Sequence, residues 1–325
     1  MSKNTPDVLV FRTGAHGMSS EKYAAELRER LPNHTIECAR TPQEEHELIA
    51  DVTVATGHHF DAELLEHASN LELFACAAAG VNHLPLEEFE SRDIAVTNAS
   101  GVHGPNIAEH VIGNILVFSR NLHEGWRRQQ RTEWRHFRAH SRELIDSTVT
   151  VVGLGAIGEA IIDRLKPFGC HIIGARYTPE KGGEGADEVI GFDADDFHDA
   201  LARTDYLVLA CPLTETTRGL IDSAAFDTLP PEAVVVNIGR GPLIETDALL
   251  SAIRGNNIRG AALDVTDPEP LPADHELWGM GNVLITPHNA GDTDQYYPRL
   301  ADIVTENLTQ IEATGNYDEI KNRVL

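Results

Sequence analysis

Three short segments in the last third of the chain bring together residue types that can hold a carboxylate and move a proton. Asn237-Ile-Gly-Arg240-Gly241 supplies a guanidinium, Asp264-Val-Thr-Asp-Pro-Glu269 supplies carboxylates, and Thr286-Pro-His288 supplies an imidazole. Arg240 can grip a carboxylate through two parallel hydrogen bonds and polarise a neighbouring carbonyl, which orients its carbon for attack. His288 can hand a proton to the alkoxide that forms. Glu269, hydrogen-bonded to His288, would stabilise the imidazolium. Asp264 reads as a group that positions a cofactor ring or supports the pair from behind. Singly, each has an ordinary explanation: a turn arginine between glycines, one acid among many in a proline-rich loop, a histidine at a strand end. Jointly they read as a site for carbonyl reduction.

Upstream, the apolar run 148–152 leads into Gly153-Leu-Gly155-Ala-Ile-Gly158, which opens a helix over 158–165. The glycine triplet is weak alone. The strand before it, the helix after it and a second strand at 171–174 are the context that gives it meaning. Gly153 permits a tight turn, Gly155 lets the main chain approach a pyrophosphate, and Gly158 lets helix pack on strand. The amides of Ala156 and Ile157 then face an anion at a helix N-terminus. The expected ligand is a nicotinamide dinucleotide, and the end of the second strand selects its form. An acid there would bind the ribose 2′-hydroxyl of NAD. This chain has Arg176-Tyr177-Thr178, with Lys181 close behind. A guanidinium pairs with a 2′-phosphate and stacks on adenine, and Thr178 adds a donor. NADP(H) is therefore expected over NAD(H), with use of either as the alternative.

The elements that must position these groups fit a chain of 325 residues, long enough for about two domains. Apolar residues make up 42%, which excludes disorder. The first hundred residues alternate strands at 7–11, 34–39, 52–56 and 71–77 with helices at 20–31, 42–50 and 61–68, a small parallel α/β unit. After a helix at 107–118, a second series has strands at 148–152, 171–174, 206–210, 233–238, 260–265 and 283–286. Helices fall between most of these, including 246–254, and a last amphipathic helix spans 296–315. Gly182, Gly183 and Gly185 mark an exposed loop. In a doubly wound sheet the strand carboxyl ends line the ligand crevice, so the three catalytic segments should converge there.

The formal net charge of −25 disfavours nucleic acid and anionic membranes as partners. Only five of the 26 basic residues are lysine. Acid excess with scarce lysine reads as adaptation to concentrated salt, where screening is short-ranged. One segment opposes the global charge: 120–142 holds seven arginines, three histidines and two tryptophans against Glu124 and Glu133. In so acidic a protein it reads as an arm contacting a partner subunit rather than a nucleic-acid surface. Cys38, Cys76, Cys170 and Cys211 stand alone, and the His58–His59 pair has no further ligand at metal spacing, so no disulfide framework and no metal is expected. No secretory leader and no apolar run of about 18 residues is present, so a cytoplasmic protein is expected.

With Ala79-Gly80-Val81-Asn82, Ala108-Glu109-His110 and Cys211-Pro-Leu-Thr-Glu-Thr-Thr217-Arg-Gly added to these motifs, nearly the whole chain resembles the D-isomer-specific 2-hydroxyacid dehydrogenases. The resemblance implies that Arg240 binds substrate, Glu269 partners His288, and His288 is the acid/base. It implies that the amides of Ala79, Gly80 and Val81 meet the substrate carboxylate, and that Cys211, Pro212, Thr217, Ile238, Asp264, His288 and Gly291 lie near the cofactor. It further implies a discontinuous flavodoxin-like substrate domain (1–101 and 293–325) with a Rossmann cofactor domain (102–292) inserted, hinges near 100–104 and 290–294, closure that excludes water, and a homodimer through the cofactor domain.

The chain departs from the family pattern at Asn82, where many relatives carry Asp, and at Arg176. His103 falls where some relatives place an aromatic residue facing the substrate. Glu269 argues against the formate dehydrogenase branch, which pairs its histidine with glutamine. The expectation is an NADPH-dependent 2-oxo acid reductase forming D-2-hydroxy acids. The alternatives are a glyoxylate/hydroxypyruvate reductase, a phosphoglycerate dehydrogenase, and a dinucleotide-sensing binding module without turnover. No obvious basic cluster in the N-terminal loops meets the extra phosphate of phosphoglycerate.

Overall fold

The computed structural model describes residues 7–136 and 141–325. Two compact units divide it, Met1–Val102 with Thr293–Leu325, and His103–Asp292. Both are parallel α/β sheets covered on two faces, as expected.

The first unit runs β1 (Val8–Val10), α1 (Ser20–Arg30), β2 (Ile36–Cys38), α2 (Pro42–Leu48), β3 (Val54–Gly57), β4 (Leu73–Cys76), α3 (Leu86–Glu90) and β5 (Ala95–Thr97). Its strands lie in the order β2-β1-β3-β4-β5, all parallel. Period-two alternation divides their side chains. Val8, Val10, Val54 and Leu73 pack with Tyr23 and Leu27 of α1 and with Tyr297, Leu300 and Val304 of the chain's last helix, Tyr296–Thr314. Leu9, Ala55, Phe74 and Val96 pack on the other face with Phe60, Leu64 and Phe89. Ser19 and Thr41 cap α1 and α2 by accepting main-chain N–H bonds.

The helix expected at 61–68 is a 3-10 segment, Ala62–Glu66, capped by Asp61. Its main-chain bonds run three residues back, from Leu64 N to Asp61 O and from His67 N to Leu64 O, the 3-10 pattern common in short helical pieces. Strand β5 lies outside the expected strands, although β1 and β2 of equal length fall within them.

The second unit runs α4 (Gly104–Ser119), α5 (Leu122–Gln130), β6 (Thr148–Val152), α6 (Ala156–Leu165), β7 (His171–Ala175), β8 (Glu188–Ile190), α7 (Ala194–Leu201), β9 (Tyr206–Leu209), α8 (Ser223–Thr228), β10 (Val234–Asn237), α9 (Thr246–Gly255), β11 (Gly260–Leu263) and β12 (Val283–Ile285). The order is β12-β11-β10-β9-β6-β7-β8, again all parallel. From β6 the chain winds one way to β8, then returns and winds the other way from β9 to β12. The reversal leaves a crevice between the carboxyl ends of β6 and β9.

Near-continuous apolar strands such as Thr148-Val-Thr-Val-Val are what a sheet buried on both faces requires. The edge strand β8 also lies outside the expected strands. The glycines 182, 183 and 185, expected to be exposed, are half-buried: a Cβ on Gly183 would lie 2.6 Å from Leu154 Cδ1.

Of the arginine-rich segment, α5 buries none of its residues, while Trp126 is 70% exposed and Trp134 fully exposed. Arg138 lies outside the described residues. No helix among the described residues is long and apolar enough to cross a membrane.

Candidate active site

Because every strand of the second unit points the same way, one edge of the sheet carries all its strand carboxyl ends. Along that edge come the loops of His288 (after β12), Asp264 and Glu269 (after β11), Arg240 (after β10), Cys211 (after β9), the glycine turn (after β6) and Arg176 (after β7). Neighbouring strands are about 4.8 Å apart, so the groups expected to do the chemistry fall on three adjacent strands.

His288 Nδ1 and Glu269 Oε1 are 2.7 Å apart. The carboxylate can only accept, so Nδ1–H donates and Nε2 is left for another partner. Both side chains are about half exposed, at 51% and 42%. A pair so wet contributes only about 0–1 kcal/mol to folding, so its geometry matters for orientation rather than stability.

His288 has a positive φ of 54°, a conformation uncommon outside glycine. The turn is held by Asp264, a buried carboxylate 3% exposed. Its Oδ1 accepts from Thr286 Oγ1 at 2.6 Å and from Asn289 N at 2.8 Å, and its Oδ2 accepts from Ala290 N at 3.0 Å. The Asp264 carbonyl also accepts from His288 N at 2.8 Å. His110 of α4 reaches Thr286 Oγ1 at 3.3 Å. Asp264 therefore braces the segment that carries the imidazole.

Arg240 is exposed, and its guanidinium donates to the carbonyl of Gly239 at 2.6 Å. Asn237, 1% exposed, brackets this turn from below: Oδ1 accepts from Gly239 N at 3.1 Å and Nδ2 donates to Arg240 O at 3.0 Å. Gly241 is required for the next step of the chain, since a Cβ there would stand 1.9 Å from Thr266 O. That close approach sets the arginine turn against the loop leading to Glu269.

The glycine turn fits a dinucleotide. Gly153 has φ +102°, and a Cβ on it would meet the Cys211 main chain at 2.7 Å. A Cβ on Gly158 would strike Gly153 O at 1.9 Å. At Gly155, which caps α6, nothing lies within 4 Å, so the main chain is open to approach. The first amides of α6, at Ala156 and Ile157, supply donors where the helix dipole favours an anion.

Arg176 follows β7 and is half-buried. Its Nη1 donates to Gly182 O at 2.7 Å, which leaves other guanidinium donors for a phosphate. Tyr177 beside it is 79% exposed, and Thr178 is half-buried.

Cys211 is buried, which pushes its thiol up to about 11. It lines the turn as a small packed group, not a thiolate. Pro212 is exposed and Ile238 buried. Thr217 is also buried. Its hydroxyl accepts from Thr214 N at 2.8 Å and donates to Pro212 O at 2.7 Å, so it folds the loop holding Cys211 and Pro212. A Cβ on Gly291 would sit 3.7 Å from the His103 ring. In the first unit, Ala79 and Gly80 are exposed and Val81 half-buried after β4.

Residues 112–290 match the D-isomer specific 2-hydroxyacid dehydrogenase, NAD binding domain. The chain is 33% identical over 262 residues to the glyoxylate reductase/hydroxypyruvate reductase of Homo sapiens, covering 77% of each. The chain belongs to the D-isomer-specific 2-hydroxyacid dehydrogenase family. It is also 32% identical over 291 residues to the D-3-phosphoglycerate dehydrogenase of Methanocaldococcus jannaschii, covering 89% of this chain but only 55% of that protein. Among solved structures, a D-isomer specific 2-hydroxyacid dehydrogenase from Xanthobacter autotrophicus Py2, in complex with NADPH and MES, superposes with a TM-score of 0.76 at 28% identity over 98% of both chains.

As a member of this dehydrogenase family, the chain is an oxidoreductase with an NAD-binding Rossmann unit. Asn237 and Thr286 sit inside motifs the sequence reading singled out, yet received no role there. For Asn237 a signal existed: an Asn two residues before Gly239 can close an Asx turn onto that amide. Thr286 gave none, since a hydroxyl's partner 22 residues away, after the neighbouring strand, is invisible to spacing.

Proposed function

We propose that this dehydrogenase reduces small 2-oxo acids to D-2-hydroxy acids, reversibly, with NADPH preferred to NADH. The observation that carries the reading is the 2.7 Å His288–Glu269 pair on the sheet edge that also bears Arg240 and the glycine turn. When bound, the dinucleotide supplies the hydride. Gly153, Gly155 and Gly158, with the amides of Ala156 and Ile157, would hold its pyrophosphate, and Arg176 and Thr178 would hold a 2′-phosphate. Pro212, Ile238 and Gly291 would lie near its ring. Arg240 is assigned to binding the substrate carboxylate and polarising the carbonyl beside it, and the amides of Ala79, Gly80 and Val81 are assigned to carboxylate binding. His288 Nε2 gives its proton to the nascent alkoxide, while Glu269 at Nδ1 fixes the tautomer and offsets the charge. His103 is assigned to substrate specificity. That a relative of similar fold binds NADPH supports the cofactor choice.

The exposed α5 and tryptophans support a homodimer built through the second unit. The acid excess supports adaptation to concentrated salt.

The test is steady-state oxidation of NADPH and NADH against a panel of 2-oxo acids. His288→Ala should lower kcat by about 10²- to 10⁴-fold, and Arg240→Ala should also raise KM. No turnover of any 2-oxo acid, with tight NADPH binding intact, would replace the reading with a binding module.

A further inference from the structure

After β4 the chain continues as Ala77-Ala-Ala-Gly-Val81, and no acceptor among the described residues takes the N–H of Ala79, Gly80 or Val81. Nothing within this stretch fixes where those donors point, since it lies outside regular secondary structure and its side chains carry no polar atom. A peptide unit is planar and trans, so the carbonyl of one residue and the N–H of the next point opposite ways on one rigid plate. Whatever holds a carbonyl therefore aims the following amide.

Three successive carbonyls here are held. That of Ala77 accepts from Tyr296 Oη, that of Ala78 from Ala99 N at 3.0 Å, and that of Ala79 from Asn98 Nδ2 at 2.9 Å. Ala99 thus aims the Ala79 N–H, and Asn98 aims the Gly80 N–H. The Asn98 side chain is fixed in turn, because its Oδ1 accepts from Ser100 N at 3.0 Å.

One side chain from the far end of the sequence holds these holders. Asn322 Nδ2 donates to Asn98 O at 3.1 Å and to Ser100 O at 2.8 Å, which uses both of its hydrogens. Its carbonyl accepts from Asn98 N at 3.1 Å. Asn98 O and the Ala99 N–H share a peptide plane. A single line of bonds therefore runs from Asn322 Nδ2 to Asn98 O, from Ala99 N to Ala78 O, and out to the Ala79 N–H. In such a line each bond polarises the next.

Asn322 is itself well fixed. Its φ of 59° lies in the left-handed region that asparagine tolerates. Asn307 of the last helix, fully buried, accepts from Lys321 N at 2.7 Å and donates to Lys321 O at 3.0 Å. Beyond it, Val324 N donates to Val96 O at 2.8 Å, Val96 N donates to Leu325 O at 3.2 Å, and Arg323 bridges antiparallel to Thr97. Residues 322–325 thereby cover the outer side of the edge strand β5. Main-chain groups alone make that cover, and any residue could supply them. The Asn322 carboxamide reaches instead past the end of β5, to residues 98 and 100. All of these groups belong to the first unit.

We propose that Asn322 is a positioning residue for substrate binding: acting through Asn98 and Ala99, its carboxamide aims the N–H groups of Ala79 and Gly80 at the substrate carboxylate. The proposal rests on the reading of this chain as a 2-oxo acid reductase.

The test compares two variants of the full chain. Asn322→Gly keeps the left-handed backbone and removes the donors without adding charge. Ile320→Ala opens a cavity at a buried side chain two residues away and leaves the line of bonds in place. With glyoxylate, pyruvate and hydroxypyruvate at saturating NADPH, Asn322→Gly should raise KM for the acid at least about fivefold, with kcat and the Kd of NADPH within about twofold of wild type. Ile320→Ala should lower the melting temperature at least as far and leave KM within about twofold. An unchanged KM in Asn322→Gly, or an equal rise in both variants, means that the residue serves stability alone and overturns the proposal.

Hydrogen exchange at the Ala99 amide, followed by NMR, needs no turnover. Its rate should rise at least about tenfold in Asn322→Gly relative to Ile320→Ala. If the wild type reduces no 2-oxo acid, a raised Ala99 rate still supports the aiming of the Ala79 N–H and sinks only the parent reading. An equal Ala99 rate in the two variants overturns the proposal.

Discussion

At Arg176 a single guanidinium stands where an acid would select NAD, steadied by the Gly182 carbonyl at 2.7 Å. A hydrogen bond to a charged group is worth about 1.5–3 kcal/mol, or roughly 10- to 150-fold in a binding ratio. Arg176→Asp should therefore move the NADPH/NADH ratio of kcat/KM toward NADH by about that factor, and paired initial-rate measurements check it. An unchanged ratio removes Arg176 from recognition. The arginine itself was legible in the sequence because its position counts from the glycine turn. The brace on His288 was less legible. Asp264 stood out as an acid at a strand end, but its bonds to Thr286, Asn289 and Ala290 join neighbouring strands. One-dimensional spacing cannot say that a carboxylate faces main-chain amides rather than a ligand.

At the scale of elements, length alone did not decide what was readable: the three-residue strands β1, β2 and β12 lie inside expected strands, whereas β5 and β8 do not. Strand β6, helix α6 and the last helix emerge within two residues of their expected bounds, since apolar runs and glycine stops mark them. Strands β5 and β8 have three residues each and take their identity from the neighbours they pair with. Helix α5 presents the opposite case. Its arginine-rich sequence is plain, yet no residue of it is buried. A helix of nine residues is marginal alone in water, and Trp126 and Trp134 project with it into solvent. If a second copy covers this surface, Trp126→Asp/Trp134→Asp should halve the particle mass seen by light scattering. A double variant that keeps the wild-type mass would refute pairing through the arm.

For the molecule as a whole, 51 acidic against 26 basic side chains make self-repulsion a term that solvent controls. Raising KCl from about 0.1 M to 1 M shortens the screening length from about 10 Å to 3 Å. The melting temperature should climb across that range, as followed by calorimetry. A flat or falling curve would mean that the acid excess serves solubility alone.

The route of the polypeptide has its own consequence. Tyr297, Leu300 and Val304 belong to the core of the first unit, yet they are encoded after the entire second unit. On the ribosome the β1–β5 sheet must wait with one face covered only by α1 until translation passes residue 304, while the inserted unit is already complete. Chaperone demand during synthesis should therefore fall on the amino-terminal half, and a stop codon near residue 293 would release a protein whose Rossmann unit is intact beside a sheet still lacking part of its cover.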